Sequence, residues 1–144
     1  MGHPVYVPHS DSLALDILDK LETNILNAPP DALIVLAGDF NCTLLPDLDR
    51  KNSTEYRKRV HSHLHAMIQS TCLIDIWRDF NPGVTKFTFT GTNPSRPQAR
   101  LDRFYINDTF LARTKSSNIH PTSFFSDHHP ITLAVMFPNS SFKG

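Results

Sequence analysis

The sequence predicts one α/β (or α+β) domain in which amphipathic helices cover a sheet. Residues 32–41, ALIVLAGDFN, contain an apolar run without polar alternation, which is typical of a strand buried on both faces. Residues 11–27 and 54–70 carry apolar side chains at helical spacing on either side of that strand. The chain has 144 residues, 40% hydrophobic and 19% charged, which is enough apolar material for one packed core.

The predicted elements alternate between helical and strand periods. Residues 5–8 form a short β-rich segment that ends at a proline. The helix over 11–27 repeats apolar residues every four positions and stops before Pro29. The helix over 54–70 has a basic run at 57–59, which favours a solvated face over a binding patch. The segment LIDIW, 73–77, leads into a loop, and the remaining strand candidates are 86–90, 100–106 and 130–137.

Composition excludes several classes of protein. The formal net charge is zero, which argues against a protein that holds nucleic acid by bulk charge but not against a local basic patch. Two cysteines, Cys42 and Cys72, do not make a disulfide scaffold, so we expect a reducing, intracellular environment. No apolar run reaches the roughly 18 residues of a membrane span, and residues 1–10 lack a secretory signal pattern. We therefore expect no membrane partner.

Polar side chains follow the buried strand directly. Asp39 and Asn41 are one residue apart on extended chain, so their side chains point the same way. A carboxylate and an amide together can hold a metal, orient a water molecule or stabilise an anionic phosphate. A local role is equally compatible with these residues, because Asp and Asn also cap turns.

Further polar residues lie just before the last strand candidate, 130–137, and inside the strand candidate 100–106. Asp127, His128 and His129 precede residues 130–137, and an acid beside a histidine suits proton transfer or metal binding, although a polar turn explains them too. Asp102 interrupts an apolar strand, where a carboxylate is costly to bury unless it is paired. We expect Asp102 within about 2.6–3.2 Å of a ring nitrogen of His128.

Four motifs occur in an order and at strand ends that match a known family. The segments GDFNC (38–42), RLDRFYI (100–106) and SDHHPITL (126–133) resemble the GDxN, R-I/L-D-Y and SDHxP motifs of the exonuclease-endonuclease-phosphatase superfamily, and VYVPH (5–9) is similar to its xYxPN segment. That superfamily includes apurinic/apyrimidinic endonucleases and pancreatic deoxyribonuclease. GDFNCTLLPDLDR, LIDIWRDFNPGVTKFTF and ARLDRFYI resemble endonuclease domains of LINE-type non-LTR retrotransposons.

The resemblance implies a catalytic role for each matched residue. Tyr6 matches the tyrosine that bonds the phosphate, and Asp39 matches the aspartate that handles the proton of the attacking water or the leaving oxygen. Asn41 matches the asparagine that helps to hold the phosphate and orients that aspartate. His128 matches the histidine that contacts the scissile phosphate, and Asp102 the aspartate that orients the histidine.

The resemblance also implies a cofactor and a substrate. Mg²⁺, for which Mn²⁺ can substitute, would lie near Asp39, Asn41 and Asp127. Thr88 falls where the retroelement enzymes have a threonine that contacts DNA, and Arg100 opens the third motif, so both are predicted to bind substrate. The partners implied are DNA and, in the parent element, a fused reverse transcriptase, which implies a nuclear location.

The matched segments belong to one part of the family's fold. The full fold is a four-layer α/β sandwich, and residues 1–144 match its C-terminal half, so we expect a partial domain with one mixed sheet covered by helices on one face. The uncovered face would then favour self-association. The family's metal-binding glutamate has no counterpart here, and His9 stands where the family usually has asparagine.

Three functions are therefore open from the sequence. The first is a Mg²⁺-dependent, DNA-nicking endonuclease of retrotransposon type, truncated and inactive as an isolated chain. The second is a non-catalytic remnant that binds DNA or a protein, which the neutral net charge favours. The third is a phosphoesterase of the same superfamily that acts on a non-nucleic substrate. A metal-dependent nicking assay on the chain restored with a matching N-terminal half separates the first from the others.

Overall fold

The computed structural model describes residues 2–53, 57–122 and 126–136. Its elements are, in chain order, β1 (Gly2–Tyr6), α1 (Asp11–Leu26), β2 (Val35–Asp39), α2 (Pro46–Asp49), β3 (Arg50–Lys51), α3 (Lys58–Thr71), β4 (Leu73–Asp75), α4 (Ile76–Phe80), β5 (Phe89–Thr90), β6 (Gln98–Ala99), β7 (Asp102–Asn107), a 3₁₀ helix (Asp108–Arg113), β8 (Thr114–Ile119) and β9 (Ile131–Val135).

A four-stranded mixed sheet, the main sheet, has the strand order β1-β2-β7-β4. Strand β1 is parallel to β2, and β7 is antiparallel to both β2 and β4. The predicted mixed α/β class is therefore confirmed.

Helices α1 and α3 pack on one face of the main sheet. Their apolar residues recur three or four positions apart, so each helix presents one buried stripe. The sheet contributes Leu36 and Tyr105, which are paired across β2 and β7 and therefore share a face. The helical part of this core is Ala14, Leu18, Leu21, Ile25, Val60, Leu64 and Met67. Within the residues described, no helix combines the length and apolar character needed to cross a bilayer.

The strands do not all join one sheet, which corrects the prediction of a single sheet. Only Phe89–Thr90 of the predicted strand 86–90 is extended, and it pairs with β6 in a three-stranded sheet of order β3-β6-β5. Strand β9 pairs with β8 in a separate two-stranded sheet. The sequence TKSSNI of β8 is mostly polar, because one side of this strand is exposed, and so it carried no apolar signal. The predicted helix start at 54–57 lies partly outside the described residues.

Gly38 allows β1 and β2 to approach each other. Its φ is +150°, and a Cβ at this position would lie 1.9 Å from the carbonyl oxygen of Val5. Since that neighbour is backbone of the adjacent strand, a side chain here requires the two strands to separate.

Gly38→Ala is therefore expected to lower the free energy of unfolding by about 3 kcal/mol or more, through overpacking and an unfavourable φ. Urea denaturation followed by circular dichroism measures the loss. The matched control is Gly83→Ala, where φ is +75° but nothing lies within 4 Å of the added Cβ. We expect this variant to lose about 1 kcal/mol of unfolding free energy. Equal losses at the two glycines would contradict the close approach of β1 to β2.

Candidate active site

Three predicted site residues form a row across the main sheet. Tyr6 of β1 is paired with Asp39 of β2, and Asp39 is paired with Asp102 of β7. Paired residues of neighbouring strands project from the same face, so these side chains all lie on the face opposite α1 and α3. The register of the sheet thus brings together side chains that are far apart in the sequence.

His128 joins this row from the segment before β9. Its Nδ1 lies 2.7 Å from Oδ2 of Asp102, and its Nε2 lies 3.9 Å from Oδ2 of Asp39. The expected contact between Asp102 and His128 is confirmed. The ring of Phe89 packs against the imidazole at a centroid distance of 5.2 Å. Because Asp102 holds Nδ1, Nε2 is the nitrogen left to act toward Asp39 and the cleft.

Asn41 fixes the position of Asp39. Its backbone N–H donates to Oδ1 of Asp39 at 2.8 Å, and its side-chain amide donates to the carbonyl of Val7 at 2.6 Å. Its φ is +46°, a left-handed conformation that asparagine tolerates better than most residues. The turn after β2 is therefore tied both to the carboxylate and to the end of β1.

The site shifts the pKa of both Asp39 and His128 upward. Burial is the largest cause at Asp39, where the charge of Asp102 adds to it and the hydrogen bond from Asn41 opposes it. At His128, burial favours the neutral ring, but the hydrogen bond and charge of Asp102, with the charges of Asp39 and Asp127, outweigh it and raise the pKa. The site therefore favours an imidazolium, which suits contact with an anion.

Asp102→Asn is expected to lower the pKa of His128, because the change removes the carboxylate that stabilises the imidazolium. The wild-type ring then keeps its proton to a higher pH than the variant ring. Titration of the His128 Cε1–H resonance by NMR measures both values. Asp108→Asn, at an exposed position, is the control and should leave the titration of His128 unchanged. An unaltered His128 titration in Asp102→Asn would contradict the pairing.

The carboxylates provide ligands for a cation. Among the described residues, Asp39, Asp102 and His128 form a cluster whose ligating atoms all lie within 4.8 Å of one another. Asp102 is engaged by His128, while Asp39 keeps one oxygen free of the bond from Asn41. One carboxylate oxygen plus waters fits Mg²⁺, which retains much of its hydration shell. Asp127 is exposed and outside this cluster, so its role as a ligand stays a prediction.

Two predicted substrate-binding residues have other roles, because both side chains are buried. Thr88 is 0% exposed, and its Oγ1 accepts backbone N–H bonds from Leu101 and Asp102. Arg100 is 1% exposed, and its guanidinium is bound by Asp49 and Asp75. Neither side chain can reach a DNA strand, which corrects that prediction.

Arg57 is a further correction. We predicted a solvated helix face, but its side chain is only 8% exposed. It donates to Asp11, to the carbonyl of His9 and to the carbonyl of Asn41. The position of Arg57 in the sequence could have indicated this role. Arg57 comes immediately before α3, and its side chain reaches the loops that follow β1 and β2.

The site opens into a cleft of about 750 Å³. Tyr6, Asp39, Asn41, Asp127 and His128 line it, and Tyr6 is 59% exposed there. His9, which stands at the family's asparagine position, also lines the cleft. Polar residues that sequence reasoning did not single out line it too: Arg50, Asn52, Asn93, Ser95 and Gln98.

A histidine oriented by one aspartate and facing another, at the strand ends of a mixed sheet, suits phosphoester chemistry. Residues 2–128 match the endonuclease/exonuclease/phosphatase family, and the chain belongs to that family. It is also 31% identical, over 132 residues, to the transposon TX1 uncharacterized 149 kDa protein of Xenopus laevis.

Solved structures have a similar fold. An AP endonuclease from Archaeoglobus fulgidus superposes with a TM-score of 0.78 at 15% identity, over 93% of this chain and 60% of that one. The AP endonuclease LMAP from Leishmania major gives 0.70 at 22% identity, over 92% and 44%. The 3′ phosphatase NExo from Neisseria, solved with a product DNA hairpin, gives 0.74 at 15% identity, over 94% and 61%.

The chain matches only part of each of these proteins. The match to the Xenopus transposon protein covers 91% of this chain but only 10% of that protein.

Proposed function

We propose that this chain carries the histidine–aspartate part of the active site of a Mg²⁺-dependent, DNA-nicking endonuclease from a retrotransposon. The observation that carries the proposal is the 2.7 Å contact of His128 with Asp102, beside Asp39 at 3.9 Å. The Xenopus transposon relative supports the retrotransposon context. Such an enzyme acts in the nucleus and leaves a 3′-hydroxyl that a fused reverse transcriptase extends.

The side chains divide the chemistry of phosphodiester hydrolysis among them. Asp39 accepts the proton of the attacking water at its carboxylate. His128, held at Nδ1 by Asp102, presents a positive Nε2–H to a phosphate oxygen. The exposed hydroxyl of Tyr6 is available for a second hydrogen bond to the phosphate.

Mg²⁺, held by Asp39 with Asn41 and Asp127 nearby, would supply charge stabilisation for the phosphate during attack. The cleft supports a polymeric substrate, because its walls carry hydrogen-bonding groups beyond the histidine–aspartate site. Arg50 supplies a positive charge there, and Asn52, Asn93 and Gln98 supply neutral donors.

The test is nicking of supercoiled plasmid DNA, with Mg²⁺ and with excess EDTA. Two proteins are compared: the 144-residue chain, and the same chain joined to the part of the Archaeoglobus fulgidus enzyme that it does not match. We expect Mg²⁺-dependent nicking by the joined protein and none by the isolated chain. No nicking by a folded joined protein, with binding to the plasmid retained, would favour a non-catalytic remnant. Hydrolysis of a small phosphomonoester without nicking would favour the non-nucleic phosphoesterase.

The face of the main sheet opposite α1 and α3 supports the predicted self-association. Val35, Ala37 and Phe104 are only half-buried on this face, and Pro4 and Tyr6 at its edge are exposed. Contiguous apolar surface of this kind is commonly covered by a protein partner. We propose that copies of the isolated chain associate through it.

We expect sedimentation velocity to report a concentration-dependent increase in mass for the isolated chain. Phe104→Ser should weaken the association, because it removes an aromatic side chain from the sheet face. Leu13→Ser is the control, since Leu13 is 57% exposed on the remote helix α1. A purely monomeric chain at all concentrations would disprove the association.

A further inference from the structure

The segment Thr88–Thr90 lies between the chain that leads to Asp102 and the chain that carries His128. On one side, the N–H of Thr88 donates to the carbonyl of Ala99 at 3.0 Å. On the other side, the carbonyl of Thr88 accepts the N–H of His129 at 2.6 Å, and the N–H of Thr90 donates to the carbonyl of Asp127 at 3.0 Å. The segment is therefore bonded both to the strand that leads to β7 and to the residues on either side of His128.

The hydroxyl of Thr88 holds the start of β7 directly. Its Oγ1 accepts the N–H of Leu101 at 2.9 Å and the N–H of Asp102 at 3.0 Å. The side chain is fully buried, so water cannot replace this acceptor. One residue thus fixes the backbone of Asp102 through its hydroxyl and the backbone beside His128 through its carbonyl.

We propose that Thr88 is a positioning residue that sets the separation of Asp102 and His128 and so closes their 2.7 Å contact. Its catalytic consequence rests on the function proposed above, whereas the geometric consequence does not. Replacing the hydroxyl by a methyl group of similar size removes the acceptor of two part-buried N–H groups, those of Leu101 and Asp102. The backbone of Asp102 must then move to satisfy them, and the hydrogen bond to His128 lengthens.

Two readouts test this on the variants Thr88→Val, which has no hydroxyl, and Thr88→Ser, which keeps it. The first is the His128 Nδ1–H resonance in a long-range ¹H–¹⁵N NMR spectrum of the 144-residue chain at one fixed pH. The second is the plasmid-nicking rate of the joined protein, separated into kcat and KM. Ser117→Ala is the control, because it removes another buried hydroxyl, in β8.

We expect Thr88→Val to lose the downfield Nδ1–H signal and to lower kcat about 10- to 100-fold with little change in KM, the scale of misplaced supporting groups. Thr88→Ser should restore both, and Ser117→Ala should change neither. If Thr88→Val does not fold, Thr88→Ala replaces it and differs from Thr88→Ser by the hydroxyl oxygen alone.

The outcomes separate this inference from the proposed function. Loss of the NMR signal only in the hydroxyl-free variants supports positioning by Thr88, even if no variant and no parent protein cuts DNA. An unaltered signal in Thr88→Val, together with a wild-type kcat where nicking occurs, overturns it. A loss of stability alone, equal to that of Ser117→Ala and with the signal intact, overturns it as well.

Discussion

His128→Ala and Asp39→Ala are each expected to lower the rate of plasmid nicking by the joined protein at least about a hundredfold, the usual scale for positioned acid–base and electrostatic groups. His128→Ala removes the imidazolium that faces the phosphate and leaves Asp102 without its partner. Asp39→Ala removes the proton acceptor and the carboxylate oxygen available to a cation. Initial rates at saturating Mg²⁺, from gel quantification of nicked circles, measure the effect.

His129→Ala is the control for this experiment. Nδ1 of His129 lies 3.0 Å from the carbonyl oxygen of His120, so this side chain is directed away from Asp39 and Asp102. Its backbone bond to Thr88 persists in the variant. We expect a nicking rate within about threefold of the parent protein, since the side chain holds no reacting group. Equal losses at His128 and His129 would mean that the catalytic histidine has been misassigned.

Asp49→Ala is expected to lower the free energy of unfolding by about 3–5 kcal/mol, because it breaks the buried ion pairs of Asp49 with Arg100 and Arg78 and leaves Arg100 paired with Asp75. Asp49 is fully buried at the end of α2, where it accepts bonds from the guanidinium groups of Arg100 and Arg78. Both arginines also lie over the ring of Trp77, at 5.0 Å from its centroid. The loss of one carboxylate therefore weakens contacts that join α2, α4 and the strand leading to β7.

Urea denaturation measures this loss, with Asp47→Ala as the matched control. Asp47 belongs to the same short helix but is exposed, so its removal should change stability by less than about 0.5 kcal/mol. Similar stability of the two variants would show that the network around Asp49 contributes little. A selective loss in Asp49→Ala would confirm that the network joining Asp49 to Arg100 and Arg78 stabilises the fold.

The residues with short-range signals were predictable from the sequence. The helix over Asp11–Leu26 follows from apolar residues at a period near four, and that period arises from local backbone geometry. Asp39 lies at the end of a continuous apolar strand, where burying an unpaired carboxylate is costly. A carboxylate at this position is therefore expected to be exposed or to have a functional role. The pairing of Asp102 with His128 followed from the cost of an unpaired acid in a strand.

Other features depend on contacts between segments that are distant in the chain. Thr88 and Arg100 fall within motifs that bind substrate by resemblance, yet both side chains turn into the protein, and only the packing of α2, β6 and β7 around them decides this. The division of the strands into three sheets likewise depends on pairing partners, which a period of two along one strand does not encode.

The sequence by itself thus determined the mixed α/β class, the two long helices and the identity of the acids and the histidine at the strand ends. The tertiary structure decided which polar residues face the cleft and which support it. Residue type and spacing specify the face of the helix or strand from which a side chain projects. Whether that side chain is buried depends on what packs against the face. Arg57 illustrates the difference: a basic run typical of a solvated helix contains one arginine that joins the loops carrying His9 and Asn41.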